Sequence, residues 1–344
     1  MLAMNGMVAS LQLAYPPVSN QEAEWVISEQ GVVDRLRNSD FYMIAMRAEA
    51  KFSEFHHDSD GLLHLKISTG TGISDSVTLH PSHLASNIDG IDPENGEITI
   101  LWNEKALLFY DSTPEDVDAG TAELFEWFST EKLIYNRSHR LPGILGFHGW
   151  RDFATYELLY VGIASKADTY QRLFQRAHRK RQQILSNEWP RTPGSRVTDE
   201  MHLFPLRVQP MTVRMLEPGD TFSHPSNEEW KTYCKRVTKD AEKAFVHLLD
   251  PQYNEVDFDS YPQSSDGLWE QGHERYIFYL AENLTFTTPT VTLHGAWDPI
   301  ASGGNDADLI TIEGESVHIR PGGHRQGLIG PDLRREAATD DRGK

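Results

Sequence analysis

Cysteine is nearly absent: Cys234 stands alone in 344 residues. No disulfide can form within the chain, and a cysteine-based zinc site is excluded. That usage favours a reducing cytoplasm, and Cys234 reads as an ordinary small apolar residue. Long apolar runs are missing as well. None approaches the ~18 residues that a membrane helix needs, so no membrane partner is expected. Met1 to Tyr15 is mildly apolar but broken by Asn5, Gly6, Ser10 and Gln12. It lacks a basic start and a small-residue cleavage pattern, so it is not read as a signal peptide. No internal repeat is found. Basic residues are scarce, 32 Lys and Arg against 51 Asp and Glu, a net charge of −19. Taken whole, that balance argues against a nucleic-acid partner.

The distribution of charge reverses the argument. Residues 1–150 hold 22 acids against 9 Lys and Arg. Residues 166–196 hold Lys166, Arg172, Arg176, Arg179, Lys180, Arg181, Arg191 and Arg196 against only Asp168 and Glu188. Screening falls off over about 8 Å at physiological salt, so a local basic patch can bind phosphate beside a distant acidic region. The plain alternative is a solvated basic helix face.

The length suits two domains, or one with large appendages, and 39% apolar residues can fill a sizeable core. Residues 20–60 read as mostly helical, from Glu22 to Arg37 and from Phe41 to Phe55. Leu62 to Tyr110 reads as short strands between turn clusters. Ser112 or Thr113 caps a helix from Pro114, with Ala122 to Phe128 supplying its apolar face. His56-His57-Asp58 reads as an exposed turn, since three adjacent residues cannot all face one ion. Met201 to Met215 alternates but carries Pro205 and Pro210, which suggests an edge strand. Strand-like runs continue after Tyr276. Asp306 and Asp308 lack the spacing of a calcium loop. The fold class expected is α+β: residues 1–140 an acidic α+β domain, 141–285 a second domain, and 286–344 a β-rich extension with a mobile tail.

The chemistry-bearing stretch lies in the second block. Leu158 to Ile163 is an apolar run containing Tyr160-Val161-Gly162 and reads as a buried strand. Tyr170, Leu173, Phe174 and Ala177 then fall at helical spacing, with Arg172, Arg176, Arg179 and Lys180 on another face. Further on, Ala241, Ala244, Phe245, Leu248 and Leu249 stripe a helix with Glu242 at its edge. That helix stops before Pro251, and Tyr253-Asn254 follows.

The ordered set Tyr160-Val161-Gly162, Arg172-Leu173, Glu242 and Pro251-x-Tyr253-Asn254 resembles the GIY-YIG nucleases, over residues 140–260 only. The resemblance implies a small antiparallel sheet flanked by helices, and a metal-dependent endonuclease acting on nucleic acid, with DNA favoured. The family's first tyrosine is missing from the expected hairpin. Gly143-Ile144-Leu145 and Gly146-Phe147-His148 are the two alignments open. His148 is a candidate base in the second, and Tyr156 in the hairpin loop is another. In this reading Tyr160 or His148 orients and deprotonates water, and Arg172 bridges phosphate oxygens with its planar fork. Glu242 holds one Mg²⁺ or Mn²⁺. Asn254 holds phosphate or the metal's water shell. Arg176, Arg179, Lys180, Arg191 and Arg196 contact phosphates. His178, six residues after Arg172, rotates off its face on a regular helix and is a secondary candidate.

Two other functions compete with the endonuclease. One is a nucleic-acid-binding module that lost hydrolysis with its first tyrosine. The other is a ligand-gated defence effector in which the acidic domain senses and the second domain acts. A double-strand cut by one site needs two passes or a homo-oligomer.

Overall fold

Phe41-Tyr42-Met43-Ile44-Ala45-Met46 is buried at all six side chains, as in a strand covered on both faces. It lies near the middle of a ten-stranded sheet that organises the molecule. The computed structural model describes residues 5–86, 88, 91, 97–164, 168–175, 178–214, 225–297 and 306–323. The first half runs β1 (Asn5–Leu13), β2 (Val18–Ser19), α1 (Ala23–Val26), α2 (Gln30–Arg37), β3 (Phe41–Met46), β4 (Ala50–His57), β5 (Leu63–Thr69), β6 (Ser74–Leu79), α3 (Pro81–Ala85), β7 (Ile98–Trp102), β8 (Ala106–Asp111), α4 (Pro114–Ala119), β9 (Leu124–Ser129), α5 (Thr130–Ser138) and β10 (Ile144–Gly146). The second runs α6 (Trp150–Phe153), β11 (Thr155–Ile163), a π-helical turn (Tyr170–Gln175), α7 (Arg179–Asn187), α8 (Val197–Glu200), β12 (Met201–Arg214), α9 (Asn227–Leu249), β13 (Arg275–Leu280), β14 (Thr285–Thr287), β15 (Thr292–His294), β16 (Leu309–Glu313) and β17 (Ser316–Arg320).

The protein is α+β, but its main sheet is neither small nor wholly antiparallel. The strand order is β15-β14-β11-β3-β12-β1-β13-β16-β17, with β2 also on β12. The β1–β13 and β11–β14 pairs are parallel. Strands from 1–140, 141–285 and 286–344 interleave in this one sheet, so those three expected stretches do not separate from one another. What stands apart in strand pairing, though it shares the main sheet's core, is an excursion between β3 and β11. It carries a four-stranded sheet, β10-β6-β5-β4, and a three-stranded one, β7-β8-β9.

Three sequence expectations change. Phe41 to Phe55 forms β3 and most of β4 rather than a helix. Its Ala and Met residues suit either state, and burial on both faces decides for the strand. Ala122 to Phe128 feeds β9 rather than the α4 helix, which Gly120 closes in a left-handed conformation. Met201 to Arg214 is an interior strand despite its prolines, pairing β3 on one side and β1 on the other. The Pro205 carbonyl accepts from Ala14, just past the end of β1, so its missing N–H falls there as well. By the same alternation Pro210 turns its nitrogen to the other side, beyond the end of β3.

A capping box of Ser226 and Glu229 starts α9, and Asp250 in a left-handed conformation ends it ahead of Pro251. Val237, Ala241, Ala244, Phe245 and Leu249 are buried against the sheet. Phe245 meets Phe41 edge-on at 5.6 Å. The opposite face of the sheet carries Tyr42, Ile44 and Tyr160 under Tyr170, Leu173 and Phe174 of the π-helical turn.

Candidate active site

The strand beside Tyr160 is β3. Tyr42 stands opposite Gly162 and Ile44 opposite Tyr160. Both tyrosines face the same side and their rings lie 6.0 Å apart. A Cβ added to Gly162 would come within 2.7 Å of the Tyr42 hydroxyl and 2.8 Å of a Tyr160 ring carbon. Glycine in Tyr-x-Gly therefore makes room for the two phenols to meet.

The segment expected as the partner hairpin lies elsewhere. Ile144–Gly146 pairs with β6 in the four-stranded sheet, and His148 is exposed on the turn before α6. It is not brought to Tyr160. Tyr156 is not brought there either. A bulge after Leu158 reverses the alternation of β11, so Tyr156 points into the other core. There it packs 4.9 Å from Phe204 and 5.3 Å from His202.

Arg172 sits on the π-helical turn, and its Nε donates to the Tyr42 hydroxyl at 2.9 Å. His178 Nε2 lies 2.9 Å from the same oxygen. The helix expected across residues 170–183 is interrupted, so regular rotation does not apply to His178. It is instead the N-cap of α7, where its Nδ1 accepts from the Arg181 amide at 3.1 Å. An amide only donates, so the neutral ring carries its proton on Nε2 and gives it to Tyr42. Burial, with Arg172, Arg181 and Lys180 nearby, pushes the imidazole down to about 4. The Tyr42 oxygen thus receives two N–H donors and directs its own proton elsewhere. Burial and the Tyr160 phenol still hold Tyr42 well above the usual tyrosine range.

Glu242 comes from α9 on the other face of the sheet, near enough to the end of β11 to interact with Arg172 and the Ile163 amide. Burial raises its carboxyl to about 7, against the pull of Arg172, Lys243 and the Ile163 amide. Its charge is felt at Tyr160, whose phenol is raised first by burial and then by Glu242. Tyr42, Tyr160, Arg172, His178 and Glu242 therefore form one electrostatically coupled group drawn from four elements and a cap. Among the described residues no three His, Cys, Asp or Glu side chains converge as a metal cage. A single carboxylate suits a hydrated Mg²⁺ held mainly by water and substrate oxygens.

Other expected contacts have different work. The Asn254 amide makes two bonds to Val161, accepting from its N–H at 3.0 Å and donating to its carbonyl at 2.9 Å. It pins β11 behind Tyr160 and has little left for phosphate. Arg191 pairs with Glu157 and Glu188, Arg196 with Asp199, and Lys180 with Glu255 at 2.7 Å. Arg179 remains exposed, 4.0 Å from Glu255. Arg176 lies outside the described residues.

A second buried polar cluster lies between the sheet and α5. Glu131 takes Arg47 at 2.6 Å, His202 Nε2 at 3.0 Å and the Thr130 hydroxyl at 2.9 Å. Those donors outweigh burial and hold its carboxyl down at about 2. The nearby Glu22 is raised to about 7 by burial and by the Glu131 charge.

No family model matches the chain, and neither the curated proteins nor the solved structures compared with it include a match.

Proposed function

We propose that the protein is a metal-dependent endonuclease of the GIY-YIG type, hydrolysing phosphodiester bonds in DNA. The observation that supports this most is the shared Tyr42 oxygen: two phenols meet over Gly162, with Arg172 and His178 donating to one of them and Glu242 near the end of β11. The loss of a first tyrosine was the ground for an inactive binding module. Tyr42 would supply that phenol from 118 residues upstream of Tyr160, which removes the ground.

Phosphodiester hydrolysis needs an oriented water, relief of charge on the phosphoryl oxygens and a stabilised leaving oxygen. Tyr42 would orient the attacking water through an oxygen that Arg172 and His178 hold in place with two N–H donors. The terminal nitrogens of Arg172, beyond the Nε spent on Tyr42, would bridge phosphate oxygens. Glu242 would hold one Mg²⁺, which when bound supplies Lewis acidity at the phosphate and leaving oxygen. His178 would keep Tyr42 in place. Asn254 and Gly162 would set the position of β11.

The test is nicking of supercoiled plasmid with Mg²⁺ and with chelator, for wild type, Tyr42→Phe and Glu242→Ala. Cleavage that needs the metal and is lost in both variants is expected. Undiminished cleavage by Glu242→Ala would overturn the assignment.

A further inference from the structure

The basic residues expected to grip nucleic acid on α7 and its loop are largely spent on carboxylates. A different set on α9 meets only exposed carboxylates, or none among the described residues. Within α9, residues 231–239 contain Lys231, Lys235, Arg236 and Lys239 and no acid. On an α-helix each residue turns by roughly 100°, so Lys231 and Lys235 lie within about 20° of the direction of Glu242, and Lys239 within about 60°. The buried stripe of Val237, Ala241, Ala244 and Phe245 faces the sheet. The lysines therefore form a ridge beside it that runs straight to Glu242.

The ridge is available. Lys231 is exposed and, among the described residues, is bonded only to Glu228 at 3.0 Å, itself almost fully exposed. Lys235 is exposed and has no ion pair among the described residues. Lys239 is half exposed, 3.3 Å from Asp266, which is shared with Lys243. Exposed pairs of this kind are weak and exchange readily for phosphate. At 1.5 Å per residue the ridge spans about 16 Å from Lys231 to Glu242. Along a duplex axis, at about 3.4 Å per phosphate of one strand, that matches about five nucleotides.

We infer that Lys231, Lys235 and Lys239 form a phosphate track on α9 that carries one arm of a DNA substrate into the site at Glu242. The inference rests on the nuclease reading and adds the path of the substrate to it. The track contacts backbone only, so it gives affinity without sequence preference.

The experiment measures duplex DNA binding by fluorescence anisotropy in chelator across a salt series, alongside Mg²⁺-dependent cleavage. It compares wild type, the triple variant Lys231→Gln, Lys235→Gln, Lys239→Gln, and a control, Lys51→Gln with Lys66→Gln, on the excursion sheet. The triple variant is expected to lose about two to three units of the slope of log K against log salt, at about 0.9 per phosphate contact. Its KM should rise at least tenfold with kcat nearly unchanged, and the control should match wild type. Shortening the substrate arm on one side of the cut below about five nucleotides should bring wild type to the level of the variant. If wild type binds and cuts but the triple variant matches it in slope and KM, the track is wrong and the nuclease reading stands. If wild type neither binds nor cuts DNA, both fall together.

Discussion

Glu131 and Glu242 are both glutamates drawn out of water, and they meet opposite fates. Glu131 has an arginine, a histidine and a hydroxyl on its oxygens, and its carboxyl is held down at about 2. Glu242 has a guanidinium and an amide nearby but not enough to offset its burial, and its carboxyl rises to about 7. Burial alone separates neither from an ordinary core position. The balance of donors does: a satisfied buried charge holds elements together, and an under-satisfied one is poised to take a further cation.

The largest expected effect tests the poised side of that contrast. Glu242→Gln should lower cleavage by about 10³-fold or more while the protein remains folded. It should also stabilise the fold. An exposed glutamate ionises near 4.5, below the folded value of about 7. Below pH 4.5 both states hold the proton. As pH rises toward 7 the unfolded chain ionises first, and stability is lost. Thermal melts should therefore favour Glu242→Gln by about 1–3 kcal/mol at pH 8 and show little difference at pH 4. Equal melts at both pH values would remove the claim that Glu242 is strained.

Glu131→Gln is the mirror experiment. Leaving Arg47 and His202 without their carboxylate should cost about 3–5 kcal/mol in denaturant unfolding. Cleavage per folded molecule should be unchanged. A selective loss of activity would show that the two glutamates belong to one site.

Tyr42→Phe removes the oxygen that Arg172 and His178 share. A fall in kcat of about 10²-fold, with KM little changed, is expected from steady-state cleavage. Wild-type cleavage should decline as pH falls through about 7, where Glu242 takes up its proton, and added Mg²⁺ should move that midpoint down. The smallest effect is structural. Asn254→Ala loses two bonds to Val161, and a destabilisation of about 1–2 kcal/mol should come with an unchanged Mg²⁺ dependence.

Much of the second half was legible in the sequence. The run ending in Tyr160-Val161-Gly162 is β11, the stripe around Ala241 and Phe245 is α9, and Tyr276 to Ile319 supplies β13 to β17 where short strands were expected. Arg172 and Glu242 do come near enough to interact. The rest was hidden for identifiable reasons. Tyr42 lies in Phe41–Met46, whose composition suits either helix or strand, and its partner strand follows only after the whole excursion. A regular helical period makes His178 only a secondary candidate, and the π-helical turn interrupts that period. Charge counting placed the phosphate contacts on Arg191 and Arg196, because a sequence lists cations without the carboxylates they will meet. Tyr156 and Tyr160 share a parity that one bulged residue cancels.

The excursion between β3 and β11 has a consequence for how the molecule comes into being. Tyr42 leaves the ribosome early, Tyr160 more than a hundred residues later, and Glu242 later still. No truncated product ending before α9 holds Tyr42, Tyr160 and Glu242 together. The group closes only when β11 has paired with β3 across the whole excursion.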